Sequence, residues 1–201
     1  THYIVNNTFD ERGNLLTQIT DNDGDGVNDS AYAWEYDSHD QVVRYEQDHD
    51  ADGTPDTIYF YTNHYDARGL PITIEVEYTG DGVTDYTLTQ DFDERKNQTL
   101  LAMDIDRDGQ NDVAYHYGYD ELDRLLLSAY DQNFDGIMDW EYRYTYDQWD
   151  HVATQWYDSD GNGLYNQLSH YTWDAYDRLL LFENDHTGDG LADFVTELTM
   201  T

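Results

Sequence analysis

Carboxylates dominate the side chains that could do chemistry in this chain, and they recur at fixed spacing. The stretch DNDGDGVND at 21–29 puts Asp at its first, third, fifth and ninth positions and Gly26 at its sixth. Related stretches begin at Asp48, Glu77, Asp104, Asp131, Asp158 and Asp185, 27 residues apart except for one step of 29. Calcium takes six to eight hard oxygen ligands at about 2.3–2.6 Å, and carboxylates two residues apart in a tight loop can converge on one ion. The candidate ligands of the first two loops are Asp21, Asp23, Asp25 and Asp29, then Asp48, Asp50, Asp52 and Asp56. The next two offer Glu77, Thr79, Asp81 and Asp85, then Asp104, Asp106, Asp108 and Asp112. Asp131, Asn133, Asp135 and Asp139 follow, then Asp158, Asp160, Asn162 and Asn166, and finally Asp185, Thr187, Asp189 and Asp193.

Glycine fills the sixth position in all seven copies, where a sharp turn is needed, and a merely solvated loop has no reason to keep it. The spacing matches the first half of an EF-hand loop, but the twelfth position holds Tyr32, Tyr59, Leu88, Tyr115, Tyr142, Ser169 or Thr196 instead of Glu. The ninth-position acid is therefore expected to close the site. Magnesium fits less well, because it keeps its waters and demands octahedral geometry. Up to seven calcium ions are expected, with the loop at 158–166 weakest because Asn162 and Asn166 replace its later acids. Seven divalent ions would bring the formal charge from −35 to −21. Isolated extracellular sites bind calcium at about 10⁻⁴ to 10⁻³ M, which favours an extracellular or cell-surface setting.

Charge narrows the partners further. With 44 acidic and 9 basic residues the chain repels nucleic acid and anionic lipid, whose binding needs a basic surface. Its 20 Tyr, 5 Trp and 6 Phe argue against the disorder that such a charge would otherwise favour. There is no cysteine, so neither disulfides nor thiolate chemistry is available. No apolar run approaches the roughly 20 residues of a membrane span, so no membrane insertion is expected. The start at Thr1 without Met reads as a processed or excised fragment.

The elements that must position the loops follow from a second landmark in the same phase. An aromatic-Asp pair recurs at 9–10, 36–37, 65–66, 92–93, 119–120, 146–147 and 173–174. Before it, residues alternate with period two, as in Tyr32, Trp34 and Tyr36 or Trp140, Tyr142, Tyr144 and Tyr146. That pattern predicts strands with aromatic ladders on one face. After it come DERG 10–13, DSHD 37–40, DARG 66–69, DELD 120–123 and DAYD 174–177, which suit a type I turn with a bulge. Lys96 departs from the Gly or Asp at the fourth turn position and is expected to strain its turn. A second strand follows, as in NLLTQIT 14–20 and RLLLFEN 178–184. The expected fold is all-β, a repetitive antiparallel meander of about 15 short strands in a curled or stacked sheet. Residues 1–201 form one repeat domain, with a half repeat at 1–9 before seven full ones.

At YDARGL 65–70, YDELDRLL 119–126 and WDAYDRLL 173–180 the chain resembles the YD repeat of the Rhs family, and its acidic loops resemble those of FG-GAP and thrombospondin type 3 repeats. The Rhs resemblance implies long secreted β-sheets that can wrap into shells, and the loop resemblance implies calcium ligands at positions one, three, five and nine. No enzyme is expected: carboxylate pairs arise by chance among 44 acids, H-E-x-x-H and G-x-S-x-G are absent, and His64, His116 and His170 fall opposite the aromatic face. The expectation is a calcium-stabilised structural protein of a cell surface or filament. Bare end strands at 1–9 and 194–201 would pair head to tail between copies. An adhesin module binding carbohydrate or protein, with glycans as candidate ligands of the aromatic rows, and a piece of a larger Rhs-like secreted protein are the alternatives.

Overall fold

The computed structural model describes residues 3–198. Thr1, His2 and residues 199–201, which belong to the expected end strands, lie outside the described residues. Fifteen antiparallel strands occupy the described residues, hydrogen-bonded in chain order in a single sheet. They are β1 (Ile4–Phe9), β2 (Leu15–Asp21), β3 (Ser30–Tyr36), β4 (Val42–Asp48) and β5 (Thr57–Tyr65). Then come β6 (Pro71–Glu77), β7 (Tyr86–Phe92), β8 (Gln98–Asp104), β9 (Val113–Tyr119) and β10 (Leu125–Asp131). The last are β11 (Trp140–Tyr146), β12 (Val152–Asp158), β13 (Gln167–Trp173), β14 (Leu179–Asp185) and β15 (Phe194–Glu197). Tight turns reverse the chain at one end of the strands and acidic loops at the other.

Each tight turn has the bulged geometry expected from its sequence. In the first, Gly13 N–H donates to Asp10 C=O at 3.2 Å and Asp10 N–H to Asn14 C=O at 2.9 Å. The ladder slips by one residue beside it, between Thr8 and Phe9. The fourth turn residue is left-handed throughout: Gly13, Asp40, Gly69, Lys96, Asp123, Asp150 and Asp177 have φ between 61° and 93°. Lys96 at 75° adopts the same conformation as the glycines, and its N–H still reaches Asp93 C=O at 3.2 Å. The left-handed region costs a non-glycine residue about 1 kcal/mol.

The chain divides into two compact units, 1–89 with 104–110 and 90–103 with 111–201. In the first, Tyr45 of β4 lies opposite Trp34 and Tyr59, with ring centroids 5.1 and 5.9 Å away. In the second, Tyr130 stacks on Trp140 at 5.7 Å and Tyr142 on Tyr157 at 4.3 Å. These are the aromatic ladders the alternation predicts. The opposite face carries small and mixed residues, among them the buried Ala102, Ala114 and Ala129.

The longer step between the second and third loops falls in β5, whose nine residues exceed the usual seven. Ala31 pairs with Asp48, the start of its loop, whereas Phe60 pairs with Glu77. Counted from the preceding loop, that pairing lies two residues further along the strand. An even insertion leaves every side chain on its own face; a single residue would have reversed them. Asn63 then occupies the place that Tyr36 holds in β3. Its side-chain N–H₂ donates to Val42 C=O at 3.0 Å, as Tyr36 O–H does to Leu15 C=O at 2.9 Å.

Few large side chains are fully buried, so ring pairs and ladders carry much of the stability. Tyr45→Ala, which removes stacked partners on both sides, is expected to lower unfolding free energy by about 2 kcal/mol. Leu122→Ala, at a turn position 66% exposed, should change it by less than about 0.5 kcal/mol. Urea denaturation of both variants measures the contrast.

Candidate metal loops and the turns opposite them

Every acidic loop is first a closed hydrogen-bonded structure. Its ninth residue ties it to the strand before: Asp29 N–H donates to Thr20 C=O at 2.8 Å, and Asn166 N–H to Tyr157 C=O at 2.8 Å. The first-position carboxylate turns inward and accepts backbone N–H bonds, for Asp21 from Gly24 at 2.6 Å and Gly26 at 2.9 Å. The fifth-position oxygen caps the seventh N–H, as Asp25 does for Val27 at 2.8 Å. The ninth-position side chain accepts the second N–H, as Asp29 does from Asn22 at 2.6 Å. In the loop at 158 the amide oxygens of Asn162 and Asn166 make the corresponding bonds, to Leu164 and Ser159 N–H at 2.7 Å each. Negative charge at positions five and nine is therefore not required to form the loop.

Five of the seven first-position acids are nearly fully buried: Asp21, Asp48, Asp131, Asp158 and Asp185 are 1–6% exposed, while Glu77 and Asp104 are half-buried. Burial alone would raise the Asp21, Asp158 and Asp185 carboxyls, but the N–H bonds from their own loops hold all three below the ordinary 3.8. They stay anionic at neutral pH.

Three loops gather carboxylate oxygens within 4.8 Å of one another: Asp21, Asp23 and Asp29; Asp48, Asp50 and Asp56; Asp104, Asp106 and Asp108. That span fits inside the coordination shell of calcium, whose diameter is about 5 Å from its metal–oxygen distances. In the first two loops the ninth-position acid joins the cluster, while Asp25 and Asp52 cap Val27 and Thr54 N–H. The third cluster takes Asp108 instead of Asp112. The three clusters fall in the loops with an acid at all four expected positions. Among the described residues no such triad forms at Glu77, Asp131, Asp158 or Asp185, where Thr79, Asn133, Asn162 or Thr187 stands in an acid's place.

Sequence reasoning missed the fourth loop position. Gly24, Ala51, Gly80, Arg107, Phe134, Gly161 and Gly188 are all left-handed, with φ from 51° to 78°. Glycine in four of the seven copies was the available signal. At Gly161, Gly188 and Arg107 a side chain meets the preceding loop, whereas at Gly80 it would meet open space. A Cβ at Gly161 would lie 1.6 Å from Met138 C=O, and Arg107 donates to Thr84 C=O at 2.8 Å.

At the turn edge, the Asp of each aromatic-Asp pair accepts N–H bonds from two and four residues ahead, as Asp120 does from Leu122 at 2.8 Å and Arg124 at 3.0 Å. Burial alone would raise Asp10, Asp37, Asp93, Asp120 and Asp147, but hydrogen bonds lower all five: the backbone N–H bonds foremost at Asp10 and Asp93, and the side chains of Tyr65, Arg124 and His151 foremost at Asp37, Asp120 and Asp147. The Leu70 N–H is the largest influence lowering Asp66, and the Arg178 guanidinium the largest lowering Asp174. Neighbouring turns are also linked. Arg12 pairs with Asp40 at 2.7 Å, Arg95 with Asp123 at 2.7 Å and Arg124 with Asp150 at 2.6 Å. The Asp that replaces Gly at the fourth turn position is thus an acceptor for the turn before.

No protein-family profile and no curated protein matches the chain. Among solved structures it is similar to TcdB2-TccC3-TEV, at 12% identity and a TM-score of 0.50, over 96% of this chain and 12% of that one. It also aligns with the Photorhabdus luminescens Tc holotoxin pore at 16% identity and a TM-score of 0.45, covering 90% of this chain and 11% of that one. A porin-like protein from Bacteroides uniformis gives 12% identity and a TM-score of 0.46, covering 95% and 86%. The likeness to TcdB2-TccC3-TEV shows a shared β-repeat fold, and this chain spans 12% of that chain's length.

Two outcomes follow. Gly161→Ala should disrupt its loop and the one before it, because Met138 C=O stands where the methyl would go. Gly136→Ala, with open space around it, should cost only about 1 kcal/mol for its left-handed φ. Thermal unfolding of the pair distinguishes contact from backbone strain. The lowered turn and loop carboxyls contribute stability that is present above 3.8 and lost as pH falls through their folded values. Urea midpoints measured from about pH 7 to about pH 2.5 should therefore show these groups adding no slope above about pH 5 and a decline below about pH 4.

Proposed function

We propose that this chain is a structural block of a longer, secreted β-repeat protein whose acidic loops bind calcium. One observation carries the reading: three loops each bring three carboxylates within one calcium shell, around a first-position Asp that accepts backbone N–H bonds. Asp21, Asp23 and Asp29, Asp48, Asp50 and Asp56, and Asp104, Asp106 and Asp108 would hold the tightest ions. The loops at Glu77, Asp131 and Asp185 would fill next and the one at 158–166 last. Each ion would offset repulsion in a chain of charge −35 and leave the loop's own hydrogen bonds in place. Weak sites of this kind fill at extracellular calcium concentrations, which supports a secreted or cell-surface location.

The role is mechanical rather than catalytic. A fold shared with 12% of a much longer chain, and the YD-like turns, support a place within an Rhs-like array. β1, from Ile4 to Phe9, carries no charged residue and is exposed along its length, which suits it to continue the sheet with another strand. That strand would come from neighbouring repeats of the same chain or from β15 of another copy.

The test separates ligand chemistry from loop chemistry. Asp23→Asn with Asp29→Asn keeps acceptor oxygens, as Asn162 and Asn166 do, and removes two charges. Calorimetric titration of the EDTA-stripped protein should show three tighter calcium sites, falling to two in the double variant, with apo stability nearly unchanged. An unchanged ion count would reject the site assignment. Preserved stability on adding calcium to the wild-type chain would reject the stabilising role.

A further inference from the structure

Four turns place a donor at the residue just after the turn, where it bridges the Asp of its own turn to the fourth-position Asp of the next. Asn14 Nδ2 donates to Asp10 Oδ2 at 3.0 Å and Asp40 Oδ1 at 2.8 Å. Asn97 Nδ2 donates to Asp93 at 3.1 Å and Asp123 at 2.6 Å. Arg124 reaches Asp120 at 2.7 Å and Asp150 at 2.6 Å. His151 takes the same place with its two ring nitrogens: Nδ1 lies 3.0 Å from Asp147 Oδ2 and Nε2 lies 3.0 Å from Asp177 Oδ1. Its ring stacks on Trp173 at 5.0 Å, and its side chain is 15% exposed.

Amide and guanidinium groups donate twice at any physiological pH. A neutral imidazole has one N–H, so it can serve only one of two carboxylates and turns a lone pair toward the other. Only the imidazolium donates to both. We propose that His151 is a pH-sensitive clamp, which holds the turn at 174–177 to the turn at 147–150 when protonated and releases one of them when it loses its proton. The charged groups facing it are Asp147 from its own turn and Asp177 from the next. Arg124 on the side before is engaged with Asp120 and Asp150, and Arg178 on the side after with Asp174.

The protonation energetics agree with the geometry. The hydrogen bond to Asp147 is the largest influence and raises the His151 pKa above 6.5; partial burial opposes it and the bond to Asp177 adds to it. A raised folded value means that the clamp's contribution is fully present below the unfolded value and is lost as pH rises through the folded one. This window is separate from that of the carboxylates, which lose their contribution below 3.8.

Imidazole ¹⁵N shifts of His151, followed from about pH 5 to about pH 9, test the proposal together with amide exchange at the turns. His151 should titrate above 6.5 with both nitrogens protonated on the acid side. Over the same range, protection at Asp174 and Asp177 should fall about threefold or more relative to Asp120 and Asp123, whose turn Asn97 bridges to the one before at every pH. His151→Arg and His151→Asn copy the bridges at Arg124 and Asn14, and both should abolish that relative loss. A midpoint at or below 6.5, or the same loss in His151→Arg, would overturn the clamp.

Discussion

A carboxylate oxygen accepting backbone N–H groups at a chain reversal is the interaction on which this sheet depends. A meander must turn back at each end of every strand, and each reversal strands peptide N–H groups that have no ladder partner. Aspartate supplies the acceptor at both edges: at the turns Asp120 takes the N–H groups of Leu122 and Arg124, and at the loops Asp21 takes those of Gly24 and Gly26. Left-handed residues let the backbone present those groups inward. With both reversals fixed in length, each strand is held near seven residues, and equivalent side chains meet their counterparts across the sheet.

The same carboxylates create the molecule's electrostatic problem. Concentrated in loops and turns, they give the chain its charge of −35 with only nine basic residues to oppose it. At the turn edge protein groups supply the counter-charge, through Arg12, Arg95, Arg124 and His151. At the loop edge backbone N–H dipoles point at the first-position acids, as at Asp21, Asp48 and Asp104, but they are partial charges and leave the triads there mutually repulsive. A divalent cation is the natural counterpart for that edge, which is why the calcium reading rests on these three loops rather than on all seven equally.

Much of the fold was legible because its determinants are local. The 27-residue period, the two-residue alternation and the Asp-x-x-Gly turns depend on backbone conformations and hydrogen bonds spanning fewer than ten residues. The pattern of acids also ranked the loops, since a triad needs enough carboxylates in one short stretch. The left-handed fourth loop position escaped that reading because Ala51, Arg107 and Phe134 hide the glycine signal.

The sequence by itself determined the strands, the reversals and the residues available to a metal, since each is set within a single repeat. Tertiary structure alone decided what lies between repeats. Lateral pairing brings Asp40 to Arg12, Thr84 to Arg107 and Asp177 to His151, partners 23 to 28 residues apart whose meeting depends on register across the sheet. It also decided that Gly161 has a carbonyl against it while Gly80, at the same loop position, has open space. Left-handed glycines at the same loop position differ there because the residues facing them come from the preceding loop, and no pattern within one repeat encodes that distance.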